Sequence, residues 1–136
     1  MEPGGISVTR TLPIDGALLA DVLLRLRRDT GASALRWTLG DRGAAEVDVN
    51  FTTAGSSWIT AARVWDASGL AVASVGLRVM ATGADTVSLT LQPTSALTPR
   101  WLDQLPVLLD LAQAVIDEVA EELLWHATRA GVATSG

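Results

Sequence analysis

Four short glycine-bearing turns, at 41–43, 54–56, 67–69 and 82–85, divide one stretch of the chain into five segments. The segments are roughly 34–40, 44–53, 57–66, 70–81 and 86–92. Turns of this length and composition close antiparallel hairpins, and each turn sets which residues face one another. Placed independently, the four turns pair Trp37 with Val47, Phe51 with Trp58, Val64 with Ala71, and Leu77 with Leu89. All four registers put the apolar side chains on one face. That face holds Leu35, Trp37, Leu39, Val47, Val49, Phe51, Trp58, Thr60, Ala62 and Val64, then Ala71, Ala73, Val75, Leu77, Val79, Val87, Leu89 and Leu91. A slip of one residue in any hairpin moves that segment's apolar set to the other side. The pattern therefore predicts an antiparallel meander with a single apolar inner face.

The opposite face carries Arg36, Glu46, Asp48, Asn50, Arg63, Arg78, Ser88, Thr90 and Gln92. The same registers set Arg36 against Asp48 and Glu46 against Arg63, ordinary cross-strand ion pairs. Ile59, Trp65, Leu70, Val72 and Met80 also fall on this outer side, a candidate interface for a homodimer.

An apolar sheet face needs a cover, and residues 98–130 read as one. Thr98 caps, Pro99 takes the first helical position and Gly131 closes the run. Leu102, Leu105, Leu109, Ala112, Val115, Ile116, Val119, Ala120, Leu123 and Ala127 recur at helical spacing, while Asp103, Asp110, Asp117 and Glu121 lie opposite. Pro106 removes a backbone bond near the start. It predicts a short first piece over one end of the sheet, with Trp101 as a lid, and a main shaft beyond. Upstream, residues 6–12 alternate as a strand, Pro13 ends it, Asp15 caps a helix over 16–28, and Gly31 stops that helix. Residues 1–5 and 132–136 are expected to be loose ends around one domain, 6–131.

The chain has 136 residues, 49% hydrophobic and 18% charged, which suits one globular domain with a real core. With no cysteine, disulfides, thiolate catalysis and cysteine-held zinc are excluded, and a cytoplasmic setting is expected. A net charge of −5 argues against nucleic acid as the main partner. No apolar run is long enough to span a membrane, and residues 1–10 lack the pattern of a signal peptide. Neither a Gly-x-Gly-x-x-Gly nor a P-loop occurs, and Glu118, Glu121 and Glu122 read as a solvated helix face. No cofactor and no metal is expected. His126, near the end of the last helix, is explained by exposure and by the helix dipole.

The order strand, helix, five-strand meander, long C-terminal helix resembles the START/Bet v 1-like superfamily, also called SRPBCC and including polyketide cyclase/dehydrase-like proteins. The resemblance rests on that order. It rests also on Ile6-Ser7-Val8-Thr9-Arg10-Thr11-Leu12-Pro13-Ile14-Asp15 running into Ala17-Leu18-Leu19-Ala20-Asp21-Val22-Leu23, and on Ala84-Asp85-Thr86-Val87-Ser88-Leu89-Thr90-Leu91 before the last helix. It implies an α+β helix-grip fold, a curved antiparallel sheet of about six strands wrapped around the C-terminal helix. With one helix between the first two strands, where the family has two, the chain resembles a trimmed or divergent member.

The resemblance further implies that an apolar or amphipathic small molecule binds between sheet and helix. Candidate ligand-binding residues are Arg10, Trp37, Phe51, Trp58, Thr60, Leu77, Leu89, Trp101, Leu105, Leu109, Ala112 and Ile116. Small Ala62, Ala71, Ala73 and Ala112 leave room for a ligand, and the tryptophans and leucines can equally fill that room. A filled core leaves a homodimeric accessory protein as the alternative. A cyclase- or aromatase-like enzyme is a third reading, with only Thr60 and Arg10 as polar groups on the inner face; no catalytic residue is assigned.

Overall fold

The computed structural model describes residues 7–69, 72–94, 99–103 and 105–135, and the side chains of all of these except 72, 73, 100, 101 and 130–135. Among these residues, seven strands and three α-helical segments follow the order β1 (Val8–Leu12), α1 (Leu19–Thr30), β2 (Ala34–Thr38), β3 (Gly43–Asp48), β4 (Thr52–Ala54), β5 (Ser57–Asp66), β6 (Val72–Ala81), β7 (Val87–Pro93), α2 (Pro99–Asp103) and α3 (Leu105–Ser135). The sheet is antiparallel in the order β1-β7-β6-β5-β3-β2, with β4 paired to β5. This is the expected α+β helix-grip layout, with one strand more than the sequence shows.

Before α1, Asp15 accepts a hydrogen bond from the Ala17 amide at 2.9 Å and starts a single 3-10 turn, Gly16–Leu18. The helix ends on Gly31 at φ 68°, the left-handed position that glycine occupies without a Cβ penalty. Leu19, Val22, Leu23 and Leu26 are its buried side.

The inner face is the expected one. Val47, Val49, Ala62, Val64, Val75, Leu77, Val79, Val87, Leu89 and Leu91 are all buried, and Leu35, Trp37, Phe51 and Trp58 pack half-buried against them. Ala71 and the Ala73 side chain lie outside the described residues. The residues directly opposite differ from expectation in all four hairpins, each time by two positions. Trp37 faces Ala45, Trp58 faces Thr53, Val64 faces Ala73, and Leu77 faces Leu91. A shift of two keeps every side chain on its face. It does change the ion pairs. Arg36 faces Glu46, not Asp48, and Glu46 also faces Arg63. The carboxylate is shared, at 2.6 Å from Arg36 Nε and 3.7 Å from Arg63 Nη1.

The segment expected as one strand over 44–53 is two. Val47 faces Ala62 and Thr52 faces Ile59, so four residues on this side oppose two on β5. The extra pair makes a bulge that turns the chain out of the sheet. The Asp48 carboxylate holds the bulge, accepting from the Asn50 backbone amide at 2.8 Å and from Asn50 Nδ2 at 3.0 Å.

At the C-terminal end helix is described on both sides of residue 104, as α2 and α3, and residue 104 lies outside the described residues, and with it the break that Pro106 predicts. Thr98 lies outside the described residues. The shaft does not stop at Gly131 but continues to Ser135. Both edge strands come to the same stretch of α3. Arg10 of β1 bonds Asp117 at 2.8 Å, and Thr38 of β2 shares a groove with Gln113, Ala114 and Asp117. The sheet is therefore curled around the helix.

Candidate functional site

The inner face and α3 bring most of the sequence-predicted site residues together, in two unlike environments. Leu77, Leu89 and Ile116 are 0% exposed, and Ala112 is buried beside them on the helix. A side chain with no accessible surface lines no space that admits a water molecule. The centre of the shaft-to-sheet contact is therefore filled by these side chains, as close-packed interiors normally are. Trp37, Phe51 and Trp58 differ. They pack against the same core yet are only partly buried, on the β2, β4 and β5 side. Leu105 is also half-buried against the core.

Leu109 is not in this group. It is 39% exposed, and Leu102, expected in the same stripe, is 54% exposed. Leu108 and Leu111 take the buried positions instead, in line with Ala112, Val115, Val119 and Leu123. Leu108 and Leu109 both stand at helical spacing from Ala112, so spacing alone does not choose between them. The Trp101 side chain lies outside the described residues, and with it the expected lid.

The two polar candidates already have protein partners. Thr60, half-buried, donates its hydroxyl to the Asp48 backbone oxygen at 2.8 Å, across the bulge. Arg10 stands on the inner side of β1, opposite Leu89, and donates Nη1 to Asp117 Oδ1, which also accepts from Gln113. Its side chain is 40% exposed, so its other guanidinium nitrogens reach solvent.

Among the described side chains, the outer apolar residues fall in two groups. Ile59 and Met80 lie towards one end of β5 and β6, and Trp65 lies at the other, opposite Val72. Arg63, Ala61, Gly76 and Arg78 stand between. Leu70 and the Val72 side chain lie outside the described residues.

His126 departs most from expectation. It is 4% exposed, buried where α3 packs on the end of α1. Nδ1 is 3.6 Å from Asp29 of α1, and Nε2 is 3.9 Å from Glu122 of its own helix. The Trp125 ring meets it edge-on at 4.8 Å. Burial pushes its pKa below the ordinary 6.5, opposed by Asp29 and Glu122 and assisted by Arg129 and Arg25. The unfolded chain then binds a proton more readily than the folded one. This contribution to stability is complete above pH 6.5 and is lost as pH falls through the folded value. Stability from urea denaturation should hold steady above neutrality and decline as pH falls below about 6.5, by at most about 1.4 kcal/mol per pH unit. His126→Gln should flatten that decline; an unchanged slope in the variant would rule out this histidine as its source.

Among the described residues no group of three or more His, Asp or Glu is placed to hold a metal ion, and no helix is long and apolar enough to cross a membrane. Sequence reasoning named the outer-face polar residues without recognising that they enclose a space. Asp48, Asn50, Arg78 and Gln92 border an open groove of about 550 Å³ floored by Ala61 and Gly76.

No protein-family model matches the chain, and no curated protein matches it. Among solved structures it is similar to the crystal structure of human STARD10, at a TM-score of 0.39 and 13% identity. That match covers 87% of this chain and 63% of the other, so the chain spans less than two thirds of its length.

Proposed function

We propose that this chain is a binding module for an apolar or amphipathic small molecule, held on the inner face of the sheet beside the C-terminal helix. The observation that supports it is the partial exposure of Trp37, Phe51 and Trp58, with Leu35, on a face whose central side chains are sealed. Fully burying one large apolar side chain contributes roughly 1.5–3 kcal/mol, so a ligand covering three partly open aromatics gains several kcal/mol. The ligand sits against this aromatic side and leaves the filled centre intact. Arg10 occupies the same cross-strand row as Leu89, Val79 and Trp58, with guanidinium nitrogens to spare for an acidic head group. The division of the outer apolar residues into two groups weighs against the dimer reading. The protein-bound state of Thr60 and Arg10 weighs against the enzyme reading.

Dodecanoate displacing 1-anilinonaphthalene-8-sulfonate provides the test. Saturable one-to-one binding is expected, weakened about tenfold or more by Trp58→Ala or Phe51→Ala. Circular dichroism of each variant establishes that it is folded. Equal binding by folded Trp58→Ala and Phe51→Ala, or no saturable binding by the parent protein, would overturn the proposal.

A further inference from the structure

The groove on the outer face has a structural cause that lies in the chain itself. At the bulge the β3–β4 side leaves the ladder, so the backbone of β5 at Thr60 and Ala61 loses regular pairing on that side. Ala61 faces Gly76, so β6 supplies no side chain at the same level, and Gln92 of β7, opposite Gly76, borders the far side. The result is a dish of about 550 Å³ sunk into a sheet surface, within the usual range of small-molecule sites.

Its walls carry opposite charges. Arg78 stands on one side, exposed, and makes no ion pair among the described residues. Asp48 stands on the other. Both of its hydrogen bonds to Asn50 use the same oxygen, Oδ1, and Oδ2 has no partner among the described residues. Asp48 belongs to β3 and Arg78 to β6, with β5 between them. Arg78 is level with Ile59 and Asp48 with the Ala61 region, so two strand spacings and a two-residue stagger put their backbones about 12 Å apart. Ile59, between them on the outer face, adds an apolar surface beside the Ala61 and Gly76 floor. A net charge of −5 repels a simple anion, so one arginine on this surface selects poorly for an isolated acid.

We propose that this outer-face dish binds a small zwitterion, with its carboxylate on Arg78, its ammonium on Asp48 Oδ2, and a short apolar segment over Ala61 and Gly76. The site is separate from the inner aromatic face. Its occupant differs in kind from a fatty acid, because both ends are charged and the middle is short.

The probe is 6-aminohexanoate, compared with hexanoate and hexylammonium, each titrated into the full chain and followed by amide chemical shifts. Saturable shifts at residues 59–61 and 76–78 are expected with 6-aminohexanoate. The two singly charged analogues should bind about tenfold more weakly, the loss of one charge-assisted contact. Arg78→Gln should abolish the preference for 6-aminohexanoate over hexylammonium, and Asp48→Asn the preference over hexanoate. Asparagine retains the acceptor that Asn50 uses, so this change leaves the bulge intact. Ala61→Leu should fill the floor and remove binding at an unchanged melting temperature. Equal binding of hexanoate and 6-aminohexanoate, undiminished binding by Arg78→Gln, or no saturable shift well above millimolar ligand would overturn the proposal. Shifts confined to the inner face would also overturn it, and would leave the inner-face reading standing.

Discussion

Gly43→Ala should destabilise the fold by several kcal/mol, enough to leave a marginal domain largely unfolded at room temperature. Gly43 opens β3 at φ 145°, a conformation that residues with a side chain rarely adopt. It also faces Asp66 across the ladder, and a Cβ built on it runs into the Trp65 carbonyl oxygen. Backbone strain of this kind costs about 1–3 kcal/mol. Forcing β3 and β5 apart adds to it, because their amides and carbonyls lose their partners away from water. The neighbouring Gly40, at φ 64°, meets nothing within 4 Å of a built Cβ, so Gly40→Ala carries strain without a clash. Urea denaturation of the two variants should give a clearly larger loss for Gly43→Ala. Equal losses would show that contact with the Trp65 backbone is unimportant.

Leu89→Ala should cost about 2–5 kcal/mol, the range for removing a buried leucine from a packed interior. Leu89 is 0% exposed and lies between Arg10 of β1 and Val79 of β6 on the inner face. The size of the loss reports on the space around it. In a filled core the neighbours relax only partly, and a void remains that adds to the lost transfer energy. In a core with slack, the cost falls towards the transfer energy alone. A measured loss below about 1 kcal/mol would contradict the filled centre described above. The same variant tests the inner-face reading from another side. If ligands sit against the aromatic edge, Leu89→Ala should leave dodecanoate affinity nearly unchanged under conditions where it stays folded.

These expectations draw unevenly on what the sequence shows. Alternation of apolar and polar residues has a period of two, so it fixes the face of each side chain and nothing finer. The inner residues from Leu35 to Leu91 were therefore legible, while the four hairpin registers came out two positions away. The β2–β3 turn shows why. The Leu39 amide donates to the Gly43 carbonyl oxygen, so the turn holds Gly40, Asp41 and Arg42, one residue earlier than the spacing of glycines suggests.

The bulge was hidden for a related reason. Glu46, Val47, Asp48, Val49, Asn50 and Phe51 keep strict alternation straight through it. The extra residues come as a pair, so the period of two passes undisturbed, and with it the outer-face dish went unseen. His126 was misread because its burial depends on Asp29 and the end of α1, about a hundred residues away in sequence. Helical spacing within α3 carries no trace of that contact.

The pairing of β1 with β7 has a consequence for how the chain assembles. Val8 lies opposite Leu91, and Arg10 meets Asp117 at a separation of 107 residues. The hairpins of β5, β6 and β7 need only short loop closures, so they can form early. Until β1 arrives, β7 has one edge with unpaired amides and carbonyls, and such an edge accepts a strand from any chain that offers one. A second molecule's β1 fits it as well as the chain's own. Refolding at high concentration should thus favour strand exchange between molecules, and dilution should favour the closed monomer.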